Sequence, residues 1–200
     1  MNKQLLLSEF LTTPWALMPE RLQAMAGVLS RWQAGDLPSE ETMLQVNADR
    51  LIRESRKQFA SANAGAGIAV LPLYGVVTQR GNMVDDISGP GSTSTQQFAA
   101  ALRQVLADET VGQILIDIDS PGGSVYGVAE LAAEITRART QKPLIAVANS
   151  LAASAAYWIG CAASELYVTP GGEVGSIGVW QAHFDYSKAL EEDGVKPTLI

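Results

Sequence analysis

The chain changes rhythm near residue 67. Before that point apolar residues recur at helical spacing: Leu22, Met25, Ala26, Leu29 and Trp32 form one stripe. Gly35 and Pro38 close it. A second helix is expected over residues 39–59, with Leu44, Ala48, Leu51 and Ser55 on one side. Its end carries Arg50, Arg53, Arg56 and Lys57, which suits a helix C-terminus and reads most simply as a solvated face. The small-residue run 61–67 is a linker. The expected organisation is a helical N-terminal extension over 1–60, the linker 61–67, and a second domain over 68–200.

From residue 68 apolar runs of strand length alternate with amphipathic stretches. Strands are expected at 68–77, 113–119, 143–148 and 166–169, with a further extended segment at 174–179. Helices are expected at 96–107 (Phe98, Leu102, Val105 and Leu106 inward), 124–139 (Val128, Leu131, Ala132 and Ile135 inward), 155–163 and 186–193. Residues 81–95 read as a loop rich in Gly, Ser, Thr and Asp, and a strand opens at 197–200. Such alternation implies an α/β class, right-handed crossovers and a mostly parallel sheet.

Composition narrows the function. The 200 residues are 47% hydrophobic and 18% charged, an ordinary globular balance. The single Cys161 excludes an intramolecular disulfide framework, and the single His183 argues against a histidine metal site, so no metal and no cofactor is expected. A net charge of −7 excludes a broad nucleic-acid-binding surface. The N-terminal apolar run Leu5–Leu7 is broken by Ser8 and Glu9, short of the roughly 7–15 residues of a secretory core or the ~20 of a membrane span. A soluble cytoplasmic protein without a membrane partner is the expectation.

Two strand-to-helix junctions carry candidate chemistry, because α/β sheets place sites at the carboxyl ends of strands. The first is Asp117-Ile-Asp-Ser-Pro-Gly-Gly-Ser124. Its glycines let a ligand approach the main chain, and free N–H groups there would bind an oxyanion; the other account is a plain tight turn. The second is Asn149-Ser-Leu-Ala-Ala-Ser-Ala-Ala156. Ala152 and Ala156 stand where a Gly-x-Ser-x-Gly elbow has its glycines, so Ser154 is a candidate nucleophile; equally, a serine at a helix start is a good N-cap. A base is needed. His183, with Asp119 and Asp185 in the chain, would complete a triad on paper, whereas Lys142, Lys188 and Lys196 read as solvated lysines. Asp117 and Asp119 read as turn-positioning residues, and Cys161 as a buried small hydrophobe.

Taken together, Ser-Pro-Gly-Gly-Ser (120–124), Ala-Ser-Ala-Ala-Tyr-Trp-Ile-Gly-Cys-Ala-Ala (153–163) and Gly-Ser-Ile-Gly-Val (175–179) resemble the signal peptide peptidase A family of serine proteases. Within it they look most like the phage prohead, lambda-type capsid-maturation branch. The resemblance covers residues 67–200 and implies a ClpP/crotonase-like superhelix of ββα units. It implies a Ser-Lys dyad with Ser154 as nucleophile and the N–H groups of Gly123 and Ala155 as oxyanion donors. Substrate would pair as an extended strand along Gly122, Ser124, Val125 and Tyr126 on one edge and Leu151, Ala152 and Ala153 on another. The family's base lysine follows a strand that here opens at residue 197. It is therefore expected beyond Ile200, with residues 1–200 alone weak or inactive, and neither Lys188 nor Lys196 matches it.

The function so implied is a serine endopeptidase that processes scaffold, portal or major capsid protein. It would work as a homo-oligomer in the host cytoplasm and prohead interior. Three alternatives stay open: a bacterial signal-peptide-peptidase-like protease, a non-catalytic scaffolding subunit of the same fold, and acyl-CoA chemistry of the crotonase branch.

Overall fold

The computed structural model describes residues 3–35, 67–80, 92–181, 187–192 and 194. The expected helix over 39–59, His183, Lys196 and the strand at 197–200 lie outside the described residues.

The core is a parallel sheet. β2 (Ile68–Tyr74), β5 (Gln113–Ser120), β7 (Leu144–Ala153) and β8 (Glu165–Val168) lie in that order, and β9 (Glu173–Gly175) pairs with the far end of β7. β5 lies at its centre. Its alternating sequence sends Ile114, Ile116, Ile118 and Ser120 to a fully buried face. Helices α3 (Thr95–Ala107) and α4 (Val128–Ala138) cover this core. α4 turns Val128, Leu131, Ala132, Ile135 and Ala138 inward at helical spacing, and α3 turns in Phe98 and Leu102. The Ser94 side chain caps α3 by accepting from Gln97 N–H at 3.3 Å. α5 (Ala155–Cys161) can lie close to β5 because Gly160 has no side chain; a Cβ there would stand 2.9 Å from Ile118 Cδ1.

A second, smaller sheet runs β1 (Trp15–Leu17), β6 (Gly122–Ser124), β3 (Val76–Thr78), β4 (Ser92–Ser94). Strands β2, β5 and β7 of the large sheet run towards it, and β2 and β5 each continue across one residue into it, as β3 and β6. A helix then returns the chain. Long strand, short strand and helix thus recur as the ββα unit that the resemblance implied.

The structure departs from the sequence expectation at several places. The strand expected over 68–77 is split at Gly75 between the two sheets, and the expected loop 81–95 ends in β4. The helix expected from residue 124 starts at Val128, because residues 122–124 pair with both β1 and Val77. The strand expected to end at 148 runs on to Ala153. The N-terminal segment is not helical throughout: β1 separates α1 (Lys3–Thr12) from α2 (Pro19–Gln33) and joins the small sheet. The stripe on α2 is as expected at Leu22, Met25 and Leu29, which bury with Phe10, Trp15 and Leu17 in a satellite cluster.

Ile116→Ala empties the centre of β5. We expect a loss of about 2–5 kcal/mol in the denaturant midpoint analysis, with the circular dichroism of the folded state retained.

Candidate active site

Ser154 stands where β7 ends and α5 begins, with φ 53° and ψ −113°. A non-glycine residue at this conformation carries roughly 1–3 kcal/mol of strain and persists only where its surroundings impose it. Here the surroundings are specific. Ser154 N–H donates to Gly175 O at 2.7 Å, and Ser154 O accepts from Trp158 N–H at 2.9 Å. Upstream, β7 slips against β5. Ile118 pairs with Ala148 and Ser120 with Ala152, so Asp119 alone opposes Asn149, Ser150 and Leu151. Ser150 takes φ 94° within that irregularity.

The N-cap account of Ser154 fails on geometry. Its side chain makes no capping bond to α5; Oγ instead donates to Gly178 O at 3.4 Å. The side chain is thus turned away from the helix end, as a nucleophile on an elbow must be. The two carbonyls that engage Ser154 come from the Gly-Ser-Ile-Gly-Val motif, which gives that motif a structural reason.

The Pro-Gly-Gly turn lies against the same serine. Gly122 has φ 96°, and a Cβ on it would stand 2.9 Å from Ala153 O and 3.1 Å from Ser154 Cβ. A Cβ on Gly123 would overlap the backbone of Val77. Ser120, fully buried, locks the turn: Oγ donates to Gly75 O at 2.6 Å and accepts from Gly122 N–H at 3.2 Å. Sequence reading passed over this serine, although a serine completing the alternation of a buried strand face was the available signal. Ala155 is the first residue of α5 and fully buried, so its N–H has no intrahelical acceptor.

The remaining candidates divide. Val125 and Tyr126 follow β6, and Tyr126 is exposed. Ser124 Oγ is engaged, accepting from Tyr126 N–H at 3.1 Å. The second expected substrate edge is not open. Leu151, Ala152 and Ala153 pair with Glu173, Val174 and Gly175 of β9, while Ala152 also faces Ser120, so both sides of this stretch are taken.

Lys142 is not a free lysine: its Nζ donates to Val105 O at 3.0 Å and Asp108 O at 2.6 Å, closing the end of α3. Lys188 is exposed on α6 (Ser187–Glu192). Asp117 accepts from the Tyr74 hydroxyl, as a structural partner. Cys161 is exposed rather than buried, because it falls on the outer side of α5. Its thiol, beside the Tyr157 hydroxyl, holds that phenol above the usual tyrosine range. Among the described residues no group of three His, Cys, Asp or Glu converges for a metal, and no helix is long and apolar enough to cross a membrane.

A strained serine on a strand-to-helix elbow, packed against a glycine strand, is the arrangement that a serine-hydrolase site requires. Comparison with known proteins gives its likeness. Residues 136–200, about a third of the chain, match the sequence model of peptidase family S49. It is similar to the capsid assembly protease C of Escherichia phage lambda, 41% identical over 144 residues, covering 72% of this chain and 32% of that protein. It is also similar to the head-tail preconnector protein GP5 of Enterobacteria phage P21, 36% identical over 174 residues, 84% of this chain and 34% of that one. The chain therefore spans about a third of the length of these relatives. Among solved structures, a membrane-bound stomatin-specific protease in complex with a substrate peptide matches 63% of this chain and 55% of its own, at 16% identity and a TM-score of 0.40.

Ser120→Ala removes the hydroxyl that bridges Gly75 O and Gly122 N–H. We expect a loss of roughly 1–3 kcal/mol of stability, read by chemical denaturation, because two buried backbone groups lose their partner.

Proposed function

We propose that this chain is the peptidase domain of a serine endopeptidase that processes capsid-assembly proteins during phage prohead maturation. The conformation of Ser154 carries the reading: strain at a non-glycine residue is retained here with no capping bond in return. The S49 family match and the capsid protease relative supply the chemical class and the setting.

Ser154 Oγ attacks the scissile carbonyl and gives its proton to a base. The base we assign is the lysine that the family resemblance implies; it is not among the described residues, where Ser154 Oγ meets only the carbonyl of Gly178. The carbonyl oxygen becomes an oxyanion and accepts from the N–H groups of Gly123 and Ala155. Such a donor contributes about 3–4 kcal/mol in other serine hydrolases. The C–N bond breaks, the amine leaves with a proton from the base, and water hydrolyses the acyl-enzyme.

The substrate lies extended along β6, pairing with residues 122–125. The substrates we assign are scaffold, portal or major capsid protein. Tyr167, Val168, Val174, Ile177, Val179 and Trp180, which follow the site along the chain, are each exposed, which supports assembly into a homo-oligomer.

Fluorophosphonate treatment of the full-length protein is expected to add one adduct by intact mass. Ser154→Ala abolishes it and lowers peptide hydrolysis by about 10⁴-fold or more. An unlabelled parent protein would sink the nucleophile assignment.

A further inference from the structure

The edge of β6 that a substrate would use is already filled, by the chain itself. β1 runs antiparallel to β6, with Trp15 opposite Ser124, Ala16 opposite Gly123 and Leu17 opposite Gly122. The pairing extends one residue each way. Met18 N–H donates to Pro121 O at 3.1 Å, and Val125 N–H donates to Pro14 O at 3.0 Å. Hydrogen-bonded pairs alternate with non-bonded pairs along an antiparallel ladder. Ala16 and Gly123 lie two residues from each of these bonded pairs, so they are a bonded pair too. The N–H of Gly123, assigned above to the oxyanion, is thus engaged by the carbonyl of Ala16.

On its other side β1 makes a reciprocal backbone pair with Trp180: Trp15 N–H to Trp180 O and Trp180 N–H to Trp15 O, each 2.8 Å. Residues 14–18 therefore lie as an extended peptide inserted between two backbone edges. The carbonyl of Ala16 presses on Gly122, the residue whose missing Cβ also faces Ser154.

The attachment of this strand is unusual for a sheet member. Trp15 and Leu17 point into the satellite cluster of α1 and α2, in which Val76 is, among the described residues, the one member from beyond α2. Trp15 leans on Phe10 with ring centroids 5.5 Å apart and donates from Nε1 to Phe10 O at 3.0 Å. Its side chains thus belong mainly to its own helical unit, and Ala16 alone enters the main core. The groove holds the strand largely by backbone bonds, the way it would hold any peptide.

We propose that residues 14–18 are a tethered, substrate-like strand that closes the peptide groove, so that a substrate enters only after this strand has left. The proposal rests on the reading of β6 as the substrate edge. Its geometry makes the N-terminal helical unit an intramolecular competitor of the substrate.

The test uses the full-length protein carrying Ser154→Ala, so that no probe is consumed. The probe is a fluorescein-labelled peptide with the sequence of residues 13–18, read by anisotropy. Two variants weaken the strand without touching the groove: Ala16→Pro, which removes an N–H from the ladder, and Trp15→Ala, which removes the anchor on Phe10. Each variant is expected to bind the probe at least tenfold more tightly than the parent. Without probe, hydrogen exchange at the amides of Gly123 and Val125 is expected to rise at least tenfold, and to fall again when probe is added. If both variants unfold, or stay folded with those amides still protected, the strand is a permanent part of the sheet and the proposal fails. If the probe binds parent and variants equally, it fails as well. If the amides open in a folded variant and no probe binds, the strand does cover the edge, and the reading of β6 as a peptide-binding edge is what fails.

Discussion

Backbone packs directly on backbone at residues 122 and 123, and the site depends on that approach. Gly123 leaves no room for a Cβ beside Val77, and Gly122 none beside Ala16 and Ala153. Any side chain at either position would push β6 away from β3, from β1 and from Ser154 together. The pair of glycines is thus a packing requirement first. The oxyanion role we propose for Gly123 would follow from it, because only a strand this close could aim an amide at the atom bonded to the serine. Ser120 reinforces the arrangement by tying the turn to Gly75 on the neighbouring unit.

The serine is placed by a second device, the slip of β7 against β5. Three residues of β7 oppose one of β5, which carries the strand onward to Ala153 and lets β9 pair alongside. Ser154 then turns at positive φ with its N–H fixed on Gly175 and its Oγ released from the helix. Positive φ is shared by Ser150, exposed within the slip, and Ser154, buried at the helix start.

Much of this was legible in the residues. The alternation of β5 and the helical spacing of α3 and α4 announced themselves through side chains of strong period. Ser154 stood out because alanines flank it on both sides. What could not be read has physical reasons. β6 is Gly-Gly-Ser and β1 is Trp-Ala-Leu, each too short and too uniform to show a period of two. The pairing of β9 with residues 151–153 is a long-range ladder with no local signature, so that edge looked open. Lys142 looked solvated because its acceptors are carbonyls at the end of a distant helix, and Cys161 looked buried because its neighbours are small. The base is a different matter: a lone histidine and scattered lysines carry no spacing that would select one.

The central claim is that Ser154 is a nucleophile served by the amides of Gly123 and Ala155. A crystal structure of the full-length protein after phosphonylation of Ser154 tests it most directly. The account predicts a phosphoryl oxygen about 2.7–3.1 Å from both nitrogens, the distance expected of an oxyanion hole, with the Ala16 carbonyl displaced from Gly123. A phosphonylated Ser154 whose oxygen meets neither amide, with Ala16 still paired to Gly123, would contradict it.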